Sequence, residues 1–493
     1  MDNQLKAINR GFLGGEPTFL KDKEIGFHNR DLEEKVLQFG EGNFLRAFVD
    51  LFIDQLNGQG HFNGSVVVVQ PIAQGMTEAL NAQEGCYTVV LRGLENNKPV
   101  TYKRIVTSIS RGINPYTDFD TYKNTMKNPS LRYIISNTTE AGIAYVESDK
   151  LEDCPPASFP GKVTALLYER FKLFCGDPTK GFIFLPCELI DNSGDMLKEI
   201  VLRHAISWNL SEDFISWIKE SNYFANILVD RIVTGYPKDE IPNFEAELGY
   251  KDNLLVTGEI FHFFAIEAPK QALKEMEEAL PFAKAGLNVV LSDDITPYKL
   301  RKVRILNGSH TMSVLAASLA GKETVGEMMA DPLFVEYLRK GIYKEIIPTL
   351  DLDEEDLNSF AASVFDRFAN PHIKHYLLSI ALNSVSKFKA RVLPTILDYH
   401  KKMNKLTDVL TFGFAALLAF YKNEPQDNPE ILEFFKGLNG DVDSYVKTVC
   451  ANTDLWDIDL NQIPGFTVKV TDYVKGILEN GVNQTINNFG VNK

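Results

Sequence analysis

Segments typical of β-strands lie before about residue 293 of this chain, and nearly every later segment has the periodicity of a helix. In the first part, apolar runs rich in valine and isoleucine, such as residues 66–69, alternate with helical segments. Strands that alternate with helices are typical of a parallel sheet covered by helices on both faces. The sequence therefore predicts an α/β domain with some extra strands over residues 1–292, followed by an all-α domain over residues 293–493.

Composition argues against several kinds of partner. A chain of 493 residues is too long for one hydrophobic core, which agrees with two domains. The net charge of −15 argues against nucleic acid or an anionic membrane surface as a partner. No apolar run approaches the roughly 18 residues of a membrane span, and the N-terminus lacks the apolar segment of a signal peptide. We expect a cytoplasmic protein without membrane contact.

Cysteines and histidines predict neither disulfides nor a metal site. The five cysteines contain no Cys-x-x-Cys pair and are odd in number, which is typical of reduced cytoplasmic thiols. His372 and His375 have a spacing that can bind a metal, but no acidic residue is close to them in the sequence.

A glycine turn follows the first predicted strand. The apolar run that ends at Phe39 leads into Gly40-Glu-Gly42, and an amphipathic helical segment begins at about Phe44. A strand, a glycine turn and a helix together can hold a pyrophosphate on backbone amides, as in Rossmann-type dinucleotide-binding domains. The third glycine of that fingerprint is replaced by Leu45, and an ordinary tight turn is the alternative.

Polar residues follow two more predicted strands. The second strand ends at Gln70-Pro71, where an acid for the ribose of NAD is usual, so this position does not decide between NAD and NADP. Asn137 and Thr138 follow the strand at residues 132–136. The carboxyl ends of parallel strands line the nucleotide crevice, so these residues are expected to meet the cofactor ribose, or else to cap a turn.

Lys302, Asn307 and His310 occupy one predicted helix, for which Thr296 and Pro297 provide a start. At 3.6 residues per turn they lie at roughly 0°, 140° and 80° around its axis. An amine, a carboxamide and an imidazole on one face suit proton transfer to and from a hydroxyl or carbonyl oxygen. The alternative is a solvated lysine, a capping asparagine and a core histidine.

Four motifs in this order resemble the mannitol dehydrogenase family of long-chain polyol-specific dehydrogenases. They are Leu37-Gln-Phe-Gly-Glu-Gly-Asn-Phe-Leu-Arg46, Asn137-Thr-Thr-Glu140, Val229-Asp-Arg-Ile232 and Lys302-x4-Asn307-x2-His310. The resemblance covers nearly the whole chain and implies a metal-independent enzyme that uses NAD(H). It implies Lys302 as the general acid and base, Asn307 as a hydrogen-bond donor to the reacting oxygen, and His310 as the residue that orients the substrate. The cofactor-binding residues that we predict are Phe39, Gly40, Gly42, Asn43, Phe44, Arg46, Gln70, Asn137, Thr138 and Asp230.

The resemblance is not complete. Polyol-oxidising members have an asparagine two positions after the residue that matches Cys187; here Leu189 stands there, and Asn192 is the expected substitute. Lys387 matches a lysine of the family. The similarity is greatest to members that act on sugar acids, which implies a keto-uronate or aldonate as substrate. Its carboxylate needs a cation, for which Lys299, Lys387 and His375 are the predicted ligands, with Lys374 and Arg391 as further candidates.

Alternative functions remain open. The first is activity on another keto-uronate or on a free polyol such as mannitol or arabinitol. The second, from a different class, is a sugar-acid sensor that keeps the fold without catalysis. The presence of Lys302, Asn307 and His310 argues against the sensor. Members of the family are often monomeric, so the resemblance favours a monomer.

Overall fold

A computed structural model describes residues 5–14, 20, 25–28, 31–139, 141–423 and 425–488. The chain divides into two compact units, of which the first contains Met1–Arg92 and Val100–Ile295, and the second Gly93–Pro99 and Thr296–Lys493. The change from one unit to the other at Ile295 lies three residues beyond the predicted limit at residue 292. Membership of the segment Gly93–Pro99 in the second unit was not predicted.

The first unit contains the strands found in the described residues, except for the hairpin tip within Gly93–Pro99. They are β1 (Glu34–Phe39), β2 (Ser65–Val69), β3 (Tyr87–Glu95), β4 (Lys98–Val106), β5 (Ile109–Ile113), β6 (Tyr133–Ser136), β7 (Ile183–Pro186), β8 (Tyr223–Phe224), β9 (Asn226–Asp230), β10 (Val233–Gly235), β11 (Val256–Glu259), β12 (Phe263–Glu267) and β13 (Val289–Ser292). Its helices are α1 (Arg10–Gly14), α2 (Asn43–Arg46), α3 (Val49–Gly58), α4 (Thr77–Ala82), α5 (Phe119–Asn124), α6 (Phe159–Leu173), α7 (Ser193–Ser207), α8 (Glu212–Ser221), α9 (Ile241–Leu248) and α10 (Lys270–Ala279).

A six-stranded parallel sheet in the order β5-β2-β1-β6-β7-β8 organises the first unit. This is the 3-2-1-4-5-6 order of a Rossmann fold, in which the strand order reverses between β1 and β6. Every residue of β2 is buried: Val66 and Val68 belong to the apolar core on one face, and Val67 and Val69 to the core on the other. Burial on both faces explains the uninterrupted valine run in the sequence.

Two smaller sheets complete the first unit. One has the order β10-β11-β3-β4, and the other has the order β13-β12-β9. The alternating patterns of residues 87–92 and 99–106 predict an antiparallel pair with a loop over residues 93–98. In the structure, β3 and β4 extend so far that only Asn96 and Asn97 connect them. Their φ angles of 53° and 60° suit the tight two-residue turns of hairpins. The N–H groups of Asn96 and Asn97 donate to the Asp366 carboxylate at 2.9 and 3.0 Å.

The second unit is helical. Its elements are α11 (Thr296–Arg301), the π-helix π1 (Lys302–Asn307), α12 (Gly308–Leu319), α13 (Val325–Met329), α14 (Pro332–Lys340), the π-helix π2 (Gly341–Ile346), α15 (Glu354–Phe368), α16 (Leu377–Ala381), α17 (Ser384–Arg391), α18 (Leu393–Met403), α19 (Val409–Phe420), α20 (Pro429–Lys436), α21 (Val442–Ala451), α22 (Thr453–Trp456), α23 (Phe466–Asn480) and α24 (Val482–Asn488). The predicted order of an α/β domain and an all-α domain is therefore confirmed.

The centre of the helical unit is α19. All of its residues except the last are buried, so it is apolar all round, as expected of a helix enclosed by others. It packs against α12 and α23. No helix within the described residues is long and apolar enough to span a membrane.

The sequence of residues 371–388 predicts a single helix, and this prediction is wrong. Residues before Leu377 are not helical, and Tyr376 forms an isolated β-bridge with Thr324. The remainder is divided into α16 and α17, because Asn383 adopts a left-handed conformation with φ of 55°. Asparagine is one of the few residues that tolerates this conformation, and a helix cannot continue through it.

Candidate active site

The turn after β1 is built around Gly40, whose φ of 118° is rarely adopted by residues with a side chain. A Cβ atom added to Gly40 would lie 3.0 Å from the main-chain oxygen of Asn137. The Gly40 N–H donates to the oxygen of Val69 at 3.1 Å. The turn thus adjoins the carboxyl ends of β2 and β6, at the point where the strand order reverses. Open α/β sheets bind nucleotides at this position.

Gln38 fixes this turn from within the domain. Its buried Nε2 donates to the main-chain oxygen of Gly40 and to the Asp50 carboxylate, both at 3.0 Å. Burial raises the pKa of Asp50 to about 7. Gly42 is different, because a Cβ added there would have no described heavy atom within 4 Å. A fixed backbone with open space beside it fits the requirement of a dinucleotide, whose pyrophosphate must approach the main chain closely.

Arg46 does not expose the guanidinium that we predicted to bind a cofactor. Its side chain is buried and donates to the main-chain oxygens of Glu41 and Leu254, and to Oδ1 of Asn43 at 2.7 Å. The guanidinium also lies over the ring of Tyr87, 5.1 Å from its centroid. Arg46 therefore orients the exposed Asn43 and holds the glycine turn in place. A buried guanidinium needs such acceptors, which explains its inward direction.

Gln70 also turns its side chain inward. Its amide nitrogen donates to the main-chain oxygens of Ile72 and Ala73 at 2.9 and 3.0 Å, and its Oε1 accepts from the Thr77 hydroxyl at 2.8 Å. Gln70 thus shapes the loop after β2. Glu41 supports the same loop, because its carboxylate accepts from the Met76 N–H at 3.2 Å.

Glu188 joins the carboxyl ends of β6 and β7. Its buried carboxylate accepts hydrogen bonds from the hydroxyl of Ser136 at 3.0 Å and from both the N–H and the hydroxyl of Thr138 at 2.9 Å. Burial raises the pKa of Glu188, against the opposing effect of these donors. Asn137 donates from Nδ2 to the Cys187 oxygen at 2.7 Å. Asn137 and Thr138, both predicted to meet the cofactor, are therefore held rigidly but remain partly exposed.

Four further predicted residues of the first unit have different surroundings. Phe39 is buried and packs edge-to-face on Phe159 with ring centroids 5.0 Å apart, so only its main chain is left for a ligand. Phe44 is partly exposed and stacks on Phe48. Asp230 is buried at the end of β9. Asn192 is exposed, immediately before α7, in a left-handed conformation with φ of 54°.

In the second unit, Lys302 and Asn307 are the first and last residues of the π-helix π1. Hydrogen bonds in a π-helix join residues i and i+5, so side chains five positions apart lie one above the other. Regular α-helical geometry would separate this pair by roughly 140°, as we predicted from the sequence. That angle is wrong here, because π1 places Lys302 and Asn307 on the same side. π-Turns occur frequently at functional sites.

His310 lies three residues beyond this pair, in the first turn of α12. Its ring stacks on Phe368 with centroids 4.1 Å apart and meets His375 edge-on at 5.3 Å. Nε2 of His310 is buried and has no hydrogen-bond partner among the described residues. Burial is the main cause that holds the pKa of His310 well below its usual range, and nearby basic groups add to it. The imidazole is therefore neutral near pH 7, with a nitrogen ready for a ligand hydroxyl.

Three predicted substrate ligands are also in the helical unit. Lys299 is partly exposed in α11, on the turn before Lys302. Lys387 lies in α17, and its Nζ donates to the main-chain oxygen of Ile380 at 2.8 Å. His375 contacts His310 through its ring. His310, His375 and Lys387 thus belong to one neighbourhood, since the last two contribute to the shifted pKa of His310.

Sequence reasoning missed two contributors to the glycine turn and the neighbouring strand ends, and it named a third residue only as a further candidate. Gln38 stands within a motif that carries the resemblance, and Glu188 follows directly after Cys187, but nothing in the sequence pattern assigns either residue a role. Arg391 was only a secondary candidate, although it acts on His310. Among the described residues, no group of three or more His, Cys, Asp or Glu side chains is arranged to hold a metal ion.

Two family models match the chain. The mannitol dehydrogenase Rossmann domain matches residues 34–278, and the mannitol dehydrogenase C-terminal domain matches residues 294–478. Altronate oxidoreductase of Bacillus subtilis (strain 168) is 46% identical over 474 residues, which are 95% of this chain and 98% of that protein. Altronate oxidoreductase of Yersinia enterocolitica is 46% identical over 475 residues, with 93% and 98% covered.

Solved structures show the same fold. D-Sorbitol dehydrogenase in substrate-free form has a TM-score of 0.78 at 21% identity, with 94% of this chain and 99% of that chain covered. The Pseudomonas fluorescens mannitol 2-dehydrogenase ternary complex with NAD and D-mannitol has a TM-score of 0.65 at 23% identity, with 94% and 95% covered. The parallel sheet and the helical unit thus define a Rossmann-fold dehydrogenase with a helical C-terminal domain. The chain belongs to the mannitol dehydrogenase family, as the four motifs predicted.

Proposed function

We propose that this chain is an NAD(H)-dependent oxidoreductase that interconverts D-tagaturonate and D-altronate in hexuronate breakdown. One observation carries the reaction: π1 brings Lys302 and Asn307 to the same side of the helix, three residues before the neutral His310. The choice of substrate is supported by the 46% identity to altronate oxidoreductases over nearly the full length of both chains.

The roles of the side chains follow from their chemistry. When bound, the nicotinamide supplies the hydride for reduction of the ketone and accepts it in the reverse reaction. The Lys302 ammonium donates a proton to the carbonyl oxygen as the alcohol forms, and the free amine removes it in oxidation. The Asn307 amide donates a hydrogen bond to the same oxygen. His310 receives or donates a hydrogen bond through Nε2 and thereby orients a neighbouring hydroxyl of the substrate.

The glycine turn is proposed to hold the cofactor. Gly40, Gly42 and Asn43 present main chain and amide to the pyrophosphate, and Asn137 and Thr138 meet the ribose. Gln70 and Arg46 act indirectly, through the loop and the turn that they hold. We keep Asn192 as a proposed hydrogen-bond donor and Asp230 as a proposed cofactor-binding residue, as the sequence predicts.

Consumption of NADH with a panel of substrates tests the proposal. We expect kcat/KM for D-tagaturonate to exceed that for D-fructuronate and D-fructose by on the order of 10²-fold, since polar sites strongly reject ligands that leave their groups unpaired. Preference for D-fructuronate would assign the sister activity, and equal use of D-fructose would assign a polyol dehydrogenase. No oxidation of NADH with any of the three would favour the non-catalytic sensor.

A change at Gly42 tests the cofactor site. The φ of Gly42 is −67°, and an added side chain meets no described atom within 4 Å, so Gly42→Val should fold normally. In the complex, the valine would stand where the pyrophosphate approaches. We expect the Kd for NADH, measured by fluorescence titration, to rise at least about tenfold with little change in Tm.

Gly326→Val provides the matched control, because a Cβ there also has ample space, with its nearest atom at 3.9 Å, but lies in the helical unit. Its Kd for NADH should equal that of the unaltered protein. Unchanged NADH affinity in Gly42→Val would refute binding at this turn.

A further inference from the structure

Arg391 is the last residue of α17, and its positive charge has no ion-pair partner among the described residues. Its guanidinium is about half-buried, and burial lowers its pKa. No described side chain or main-chain oxygen forms an ion pair or hydrogen bond with that guanidinium. The fully buried arginines differ: Arg170 and Arg231, for example, donate to several main-chain oxygens each. Because removing a cation from water is costly, an uncompensated guanidinium indicates a site that an external anion completes.

Lys387 adds a second positive charge next to Arg391. The two residues are four positions apart on α17, so they share one face of that helix. Burial, followed by the charge of Arg391, lowers the pKa of Lys387, while Asp427 opposes this change. The Asp427 carboxylate already accepts hydrogen bonds from the Tyr421 hydroxyl and from the N–H groups of Val385 and Asn428. Two like charges on one face repel each other, and an anion between them removes that repulsion.

The same pair lies beside the proposed catalytic residues of the helical unit. A Cβ added to Gly308, the first residue of α12, would be 3.3 Å from the main-chain oxygen of Arg391. Arg391 and Lys387 both contribute to the low pKa of His310, and so do Arg367 and His375. The unpartnered Nε2 of His310 thus lies in the neighbourhood of the cationic side chains of Arg367, Lys387 and Arg391. A substrate that is bound there by a hydroxyl can place a carboxylate within reach of α17.

We propose that Arg391 and Lys387 form the subsite for the carboxylate of the substrate, and that Arg391 is the residue that selects a sugar acid over a neutral sugar. The planar guanidinium can donate two parallel hydrogen bonds to a carboxylate, whereas the ammonium of Lys387 adds a point charge. A neutral polyol would leave the guanidinium unpaired and would be rejected for that reason. The inference rests on the proposed function for the identity of the keto substrate. The binding of an aldonate at this subsite does not depend on the proposed function.

Arg391→Met tests the subsite in the complete protein. We expect its KM for D-tagaturonate to rise at least about tenfold and its kcat/KM to fall about 10²-fold, with activity on D-fructose unchanged or increased. Arg391→Lys should restore part of the loss in KM. Lys389→Met is the matched control, because it removes a positive charge from the same helix where Lys389 pairs with Asp457. That variant should keep the KM of the unaltered protein.

Calorimetric titration with D-altronate in the presence of NAD separates this inference from the proposed function. Binding of D-altronate that is lost in Arg391→Met but kept in Lys389→Met would support the subsite, even if no keto-uronate were reduced. Equal binding of D-altronate by Arg391→Met and the unaltered protein would overturn it, even if D-tagaturonate were reduced. Equal losses for D-tagaturonate and D-fructose would also overturn it, since they would indicate general damage. Near-native Tm values for both variants would confirm that they fold.

Discussion

Replacing Lys302 with methionine is expected to lower kcat for NADH-dependent reduction of D-tagaturonate by about 10²–10⁴-fold, which is the usual contribution of a general acid. Methionine retains most of the side-chain length and apolar surface but cannot donate a proton. Asn307 would still offer its hydrogen bond to the carbonyl oxygen, so some activity should remain. The Kd for NADH should stay within about twofold, because the turn at Gly40 is formed by the other unit of the chain.

Steady-state kinetics with both substrates varied, combined with a titration of NADH, provides the measurement. Lys344→Met is a suitable control, since Lys344 is an exposed lysine in the second π-helix, π2. The control should retain at least about half of the native kcat. If Lys302→Met lost no more activity than Lys344→Met, the proton would have to come from another group.

Replacing Glu345 with alanine is expected to destabilise the helical unit by about 3–5 kcal/mol, because it leaves several buried donors unsatisfied at once. Glu345 is buried in π2, and its carboxylate caps α19 from a distant part of the chain. Oε1 accepts from the N–H groups of Asp408 and Val409 at 2.7 and 3.0 Å, and Oε2 accepts from that of Leu410 at 2.9 Å. These donors begin the central apolar helix of the unit and are turned away from water.

Differential scanning calorimetry should show a fall of about 10 °C in Tm for the transition of the helical unit. The free energy of local opening, measured by hydrogen exchange at the amides of residues 408–410, should fall by a similar amount. The control is Asp353→Ala, which removes an exposed cap of α15 that accepts from Glu355 and Asp356. That change should cost only about 1 kcal/mol. Equal losses from the two variants would show that Glu345 is no more than an ordinary cap.

The strands of the parallel sheet could be predicted where they are buried on both faces. The runs that became β2, β6 and β7 are almost entirely apolar, and the four buried residues of β1 include three apolar ones, because each strand lies inside the sheet and packs on both sides. The edge strands β5 and β8 were missed. Only the two ends of β5 are buried, and β8 has just two residues, so neither leaves an apolar run in the sequence.

Two kinds of hydrogen bond explain why parts of the candidate site escaped prediction: local backbone bonds that differ from those of an α-helix, and bonds between residues far apart in the sequence. Lys302, Asn307 and His310 were recognised from their types and order, but a π-turn has the same composition as an α-turn and changes only which backbone groups pair. Arg46 was assigned to a cofactor because its partner, the oxygen of Leu254, is 208 residues away. The sequence does not show which arginines have hydrogen-bond partners, so it could not set Arg391 apart from the other candidate cations.

The tip of the β3–β4 hairpin limits where the chain can be cut into separate domains. Gly93–Pro99 belongs to the helical unit, and the carboxylate of Asp366 accepts hydrogen bonds from its two central residues. During synthesis these seven residues leave the ribosome about 200 residues before Thr296, so the helical unit incorporates a segment made long before the rest of it. A gene fragment that begins at Thr296 would encode a helical unit without this segment. Exchange of this domain between relatives by a single crossover would likewise pair Asp366 with a hairpin from a different parent.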